Sequence, residues 1–173
     1  MGQAKRLGSA ATAKGAAKAP AVSTRGTVAA VFTGGDQNLE AAFAQVRALR
    51  DGGADLVLVL SPAADKIIGA DRIRRETGAS RVISSWRELG DMRTFVGGLA
   101  GIVAPVLTLN PLSKLVSLQG DNLVSNAITQ ALFRGQLVVM ATASVVCCAP
   151  PTPPAGVRAV LDRLHPRAPP LRP

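Results

Sequence analysis

Short, wholly apolar runs alternate with stretches of helical periodicity along most of this chain. Residues 27–32 read TVAAVF and lead into Thr33-Gly34-Gly35. An apolar run with no alternation predicts a strand buried on both faces, as in a parallel sheet. Residues 38–50 place Leu39, Ala42, Phe43, Val46 and Leu49 at helical spacing, so one face of a helix packs on that sheet. Asp51-Gly52-Gly53 ends the helix. Residues 55–60 (DLVLVL) predict a second buried strand; Ser61 suits the N-cap and Pro62 the first turn of the helix that follows. Residues 72–78 are charged and read as exposed helix or loop, and 81–84 as a short third strand. The segment 85–98, with the sole tryptophan at Trp86, has no clear pattern.

The most informative stretch is 102–142. A strand at 102–105 runs into a polar turn holding Thr108 and Asn110. Two short helical patterns follow, on either side of Gly120-Asp121-Asn122, and a strand at 136–141 closes the unit. Repeated strand–helix alternation predicts an α/β fold, a three-layer αβα sandwich built on a parallel sheet. Residues 149–154 (APPTPP) read as a stiff linker. Residues 156–164 set Val157, Val160, Leu161 and Leu164 on one helical face. The expected organisation is a loose tail at 1–26, one domain at 27–165 and a Pro-rich tail at 166–173.

Charge changes this picture only at the N-terminus. The net charge is +9, but residues 1–26 contribute Lys5, Arg6, Lys14, Lys18 and Arg25 with no acid, or +5. The other 15 basic and 11 acidic residues leave +4. The domain is thus only mildly basic, and no aromatic residues interleave with its cations, so nucleic acid is not an expected partner. No apolar run approaches the roughly 18 residues of a membrane span, and no signal peptide is expected. The two cysteines are adjacent, Cys147 and Cys148, and cannot staple distant segments; a cytoplasmic, reducing setting is expected.

Open α/β sheets bind ligands at the carboxyl ends of their strands. Three turns at that edge carry small or polar groups: Gly34, Gly35 and Asp36; Ser61; and Thr108 with Asn110. Each has a plain structural role as well: glycines are common in such turns, Ser61 and Asn122 cap helices, and Thr108 and Asn110 form turns. Their convergence on one edge is what points to a ligand. The Thr33-Gly34-Gly35 turn lacks the spacing of a dinucleotide-binding fingerprint. His165, the only histidine, lies far along the chain beside Pro166. No Ser-His-Asp set, catalytic carboxylate pair, phosphate loop or metal-ligand cluster is visible.

In order and spacing, several of these segments resemble the family of homo-oligomeric flavin-containing cysteine decarboxylases. They are Thr33-Gly34-Gly35, Leu60-Ser61-Pro62-Ala63-Ala64, Leu107-Thr108-Leu109-Asn110-Pro111-Leu112-Ser113-Lys114-Leu115 and Gly120-Asp121-Asn122-Leu123 with Ser125-Asn126. The resemblance spans about 27–164. It implies a flavodoxin-like, Rossmann-like sandwich that binds FMN, with the flavin at a subunit interface of a homotrimer or dodecamer. Carried over by position, Gly34, Gly35 and Asp36 approach the FMN, Ser61 touches its phosphate or ring edge, Thr108 and Asn110 hydrogen-bond the flavin, and Ser125 or Asn126 lies nearby.

The chain also departs from that family. The decarboxylases' histidine falls near Met92, their substrate-clamping cysteine falls at Gly120, and their Pro-x-Met-Asn motif is replaced by Met140-Ala141-Thr142-Ala143-Ser144. The closest resemblance is to redox-type members, dihydromethanopterin reductase and the small flavoproteins that accompany bacterial microcompartment enzymes. The expected function is electron transfer or flavin-dependent reduction for a redox partner, with the basic tail docking to a microcompartment shell or cargo protein. The alternatives are decarboxylation of a cysteine-containing substrate and a non-catalytic assembly module of the same fold.

Overall fold

The computed structural model describes residues 26–141. The chain runs β1 (Gly26–Phe32), α1 (Leu39–Asp51), β2 (Ala54–Leu60), α2 (Pro62–Ile67), α3 (Ala70–Thr77), β3 (Arg81–Ile83), α4 (Trp86–Leu89) and α5 (Met92–Gly97). It continues through β4 (Leu99–Val106), α6 (Leu109–Val116), α7 (Leu123–Phe133) and β5 (Val138–Met140). All strand pairs are parallel, in the order β3-β2-β1-β4-β5. The direction of travel across the sheet reverses between β1 and β4. The expected three-layer sandwich is present, and its strand order is that of the dinucleotide-binding doubly wound sheet rather than flavodoxin's own 2-1-3-4-5.

The side-chain period of two divides the core into two layers. Val28, Ala30 and Phe32 of β1 face Phe43 and Val46 of α1 and Ile73 of α3. Ala29 and Val31 face Val96 of α5, Leu112 of α6 and Ile128 of α7. Because β1 is covered on both sides from Val28 to Phe32, it is apolar along that stretch, as the run at 27–32 predicted. The Phe32 and Phe43 rings meet with centroids 5.9 Å apart.

The unassigned segment 85–98 folds as two short, separately capped helices. Ser85 and Glu88 form a capping box on α4, and the Asp91 carboxylate accepts from the Thr94 N–H at 2.7 Å on α5. These polar caps, not an apolar period, define the helices, and Trp86 is left largely exposed.

The strand expected at 102–105 is longer at both ends, covering Leu99–Val106 and passing through Pro105. A proline cannot donate to the ladder and is tolerated within sheets at edges and bulges. Here the register slips: Ala30 pairs with Val103, yet Phe32 pairs with Val106, so β4 has one extra residue in the interval that holds Ala104 and Pro105. The linker 149–154, the helical pattern 156–164, Cys147, Cys148, His165 and both predicted tails lie outside the described residues.

Phe43 is fully buried and touches both the sheet and Phe32. Phe43→Ala is expected to cost about 3–5 kcal/mol, measured as a lower midpoint in denaturant unfolding at unchanged slope.

Candidate functional site

The bulge in the interval of Ala104 and Pro105 sets up the carboxyl edge of the sheet. It brings the Val106 carbonyl within reach of Thr33, whose backbone N–H donates to it at 3.3 Å and whose hydroxyl donates to it at 2.9 Å. The same hydroxyl oxygen accepts from the Thr108 N–H at 3.0 Å. Thr33 is only 1% exposed. One side chain therefore ties the turn after β1 to the turn after β4, across the point where strand order reverses. On the other side, the Ser61 N–H donates to the Phe32 carbonyl at 3.0 Å, joining the turn after β2 to the same strand end.

These three turns and the start of α7 enclose a cavity of about 360 Å³, lined by Thr33, Gly34, Ser61, Pro62, Ala63, Thr108, Asn110, Pro111, Asn122 and Val124. Four of the predicted site residues meet there: Gly34, Ser61, Thr108 and Asn110. Ser61 also caps α2, its hydroxyl accepting from the Ala64 N–H at 3.0 Å. Thr108 stands at the N-cap of α6 but makes no side-chain cap bond. Among the described residues, neither the Thr108 hydroxyl nor the Asn110 amide is hydrogen-bonded within the protein. Among the described residues, the cavity wall contains no carboxylate and no cation. It does contain the first turns of α6 and α7, whose leading N–H groups lack intrahelical partners and favour an anion.

The other four predicted residues do not line the cavity. Gly35 closes the turn, its N–H donating to the Thr33 carbonyl at 2.8 Å. Asp36 lies exposed beyond it. Ser125 is fully buried and reciprocates the Asn122 cap: its N–H donates to Asn122 Oδ1 at 2.9 Å, and the Asn122 N–H donates to Ser125 Oγ at 3.4 Å. The Asn126 amide donates to the Gly120 carbonyl at 2.9 Å. The cavity wall also contains six residues that the sequence did not single out: Thr33, Pro62, Ala63, Pro111, Asn122 and Val124. Thr33 carries a signal in the sequence, a polar side chain directly after a buried strand.

Gly34 has a steric reason to be glycine. A Cβ there would lie 2.7 Å from the Ala63 Cβ, because the turn after β1 presses on the first turn of α2. At Gly120 a Cβ would lie 3.1 Å from the Asn126 Nδ2 and 3.4 Å from its Cα. Met92 is buried in the core on α5 and does not line the cavity. No histidine occurs among the described residues, and they contain no cluster suited to a metal ion.

Next to the cavity, the Lys114 ammonium donates to Asp121 Oδ2 at 2.5 Å. That hydrogen bond holds the Asp121 carboxyl below its ordinary value of 3.8, against a smaller opposing effect of burial.

No family model matches this chain, and no curated protein does. Solved structures of the same fold do. Peptidyl-cysteine decarboxylase EpiD superposes with a TM-score of 0.60 at 12% identity, covering 83% of each chain. The FMN-dependent cysteine decarboxylase TvaF from thioviridamide biosynthesis superposes at 0.58 with 18% identity, over 82% of this chain and 85% of that one. Burkholderia xenovorans DmrB, solved in complex with FMN as a cubic protein cage for redox transfer, superposes at 0.59 with 22% identity, over 81% and 83%. The chain therefore has the fold that its motifs suggested, shared by flavin-dependent cysteine decarboxylases and by DmrB. No helix among the described residues is long and apolar enough to cross a membrane.

Thr33→Val removes the hydroxyl while keeping the shape, leaving the Thr108 N–H unpaired. A loss of about 1–3 kcal/mol is expected, and Thr33→Ser should restore most of it, both read by denaturant unfolding. Asp121 carries a depressed pKa, so its contact with Lys114 contributes above the ordinary Asp range and is lost as pH falls through the lowered value. Lys114→Met should move the Asp121 titration up toward that ordinary value, as followed by carboxyl-carbon NMR.

Proposed function

We propose that this chain is an FMN-binding flavoprotein, holding the cofactor non-covalently in the cavity at the β1–β4 switch point. One observation carries the reading. A cavity at the ligand-binding edge of a doubly wound sheet brings Gly34, Ser61, Thr108 and Asn110 together, with two uncommitted polar side chains and helix N-termini but, among the described residues, no carboxylate. That chemistry fits a phosphate and the polar edge of a flavin ring. Its size lies at the lower end of small-molecule sites, which run from roughly 300 to 1,000 Å³. A flavin would fill it and project from it. Thr108 and Asn110 would hydrogen-bond the cofactor, Gly34 would let the backbone approach it, and Ser61 would donate its hydroxyl proton while still capping α2.

When bound, FMN would supply electron transfer or hydride chemistry, and the protein's part would be to orient the ring and exclude water. Electron transfer or flavin-dependent reduction for a redox partner is the favoured role. Met92 and Gly120 support it over decarboxylation, because among the described residues the site then has neither an imidazole nor a thiol to handle a cysteine substrate. The redox role printed for DmrB points the same way. The projecting flavin would be covered by another copy of the chain: Ile67 on α2, Leu109 and Val116 on α6, and Leu118 just beyond are exposed apolar residues on the elements around the cavity. A homotrimer or larger assembly would bury them. The basic tail at 1–26 would serve as the docking segment for a microcompartment shell or cargo protein.

Freshly purified protein is expected to show flavin absorbance, or to gain it with FMN. Saturation at about 100 times Kd should stabilise the fold by roughly 2.7 kcal/mol. Asn110→Ala and Thr108→Ala should each weaken FMN binding by about tenfold, the worth of one good hydrogen bond, with the unfolding midpoint of the FMN-free protein unchanged. A colourless protein whose melting temperature ignores FMN would sink the reading. Release of carbon dioxide from a cysteine-terminated peptide would overturn the redox role but leave FMN binding intact.

A further inference from the structure

Of the turn Gly120-Asp121-Asn122 between α6 and α7, Asn122 lines the cavity wall. Its side-chain amide has little freedom. Oδ1 accepts from the Ser125 N–H at 2.9 Å, and Nδ2 donates to Asp121 Oδ1 at 3.1 Å. Exchanging the two ends of the amide would set N–H against N–H and oxygen against carboxylate, so it is locked one way round. Nδ2 carries two hydrogens, and among the described residues only one of them has a partner. The other is a donor held in a fixed group on the wall.

Asp121 is locked in turn. Its Oδ1 also accepts from the Ser125 hydroxyl at 3.3 Å, and its Oδ2 accepts from the Lys114 ammonium at 2.5 Å. Lys114 is the more buried partner of that pair. The bond runs from the body of α6 to the turn before α7, so it ties together the two helices whose first turns frame the cavity. Capping alone does not call for this arrangement. The Ser125 N–H already has its acceptor in Asn122, whereas the Asp121 carboxylate bonds the side chains of Asn122, Ser125 and Lys114.

Charge gives Lys114 a purpose. The Lys114 hydrogen bond keeps the Asp121 carboxyl below its ordinary value, so the group is ionised at neutral pH. An unpaired carboxylate one residue from the wall would repel an anionic ligand. The ammonium cancels that charge where it arises.

We propose that Asp121 and Lys114 are a positioning pair for the ligand of the cavity: Asp121 fixes the Asn122 amide as a donor in the wall, and Lys114 masks the charge of the carboxylate that does so. The identity of the ligand, FMN, rests on the flavin reading; the locking of Asn122 does not.

Three variants of the full chain separate the two roles. Lys114→Met alone unmasks the carboxylate and should weaken FMN binding several-fold. Lys114→Met with Asp121→Asn removes both charges but keeps an oxygen for the Asn122 amide, and should return the affinity close to that of the unaltered chain. Lys114→Met with Asp121→Ala removes that oxygen as well, and should bind FMN about tenfold more weakly than the Asn version, the worth of one hydrogen bond. Equal affinities in all three, or a ranking that simply follows their FMN-free unfolding midpoints, would overturn the proposal. A second readout needs no FMN. Exchange of the Asn122 side-chain amide protons, followed by NMR, should be slow in the unaltered chain and in the Asn version and about tenfold faster in the Ala version. The same exchange rate in all of them would also overturn it. If the unaltered chain binds no FMN, the flavin reading fails by itself, and amide exchange still decides whether Asp121 positions Asn122.

Discussion

A strand covered on both faces has no place for a polar side chain except at its end. β1 is such a strand, with Val28 to Phe32 almost wholly removed from water. The rest of the molecule follows from that constraint. Polar groups collect at the carboxyl edge, where the helices begin, and strand order reverses beside the same strand. Thr33 is the first residue past the buried run, and it spends its hydroxyl on joining two turns. The cavity is what remains between turns that are tied together but cannot close completely.

The fold was legible because its signal is additive. Each buried strand and each apolar helical face independently pointed to a parallel sheet covered on both sides, and the layers of side chains follow that pattern. Where the chain uses polar caps in place of apolar period, as in α4 and α5, the sequence was opaque. Pro105 misled in another way. It marks the end of a strand by propensity, but a one-residue bulge lets β4 continue past it. Bulges depend on the partner strand, so a single segment cannot announce one.

The candidate site was half legible. Gly34, Ser61, Thr108 and Asn110 were found because each follows a strand at the same edge, which is a topological argument. Ser125 and Asn126 looked equivalent in the sequence, yet they turn inward to cap and brace the start of α7. Their direction is set by the cap at Asn122, the residue just before α7, and Asn122 lines the cavity wall instead. Chemistry-bearing residue types are visible in a sequence; the face on which a cap places them is not.

The Asn126 amide, folded back onto the Gly120 carbonyl, also limits what position 120 can carry. A Cβ there would lie 3.1 Å from the Asn126 Nδ2 and 3.4 Å from its Cα, so the amide must give way by a few tenths of an ångström before a side chain fits. A substitution at 120 is therefore coupled to position 126, because the group that must move is the one whose hydrogen bond helps hold the turn before α7.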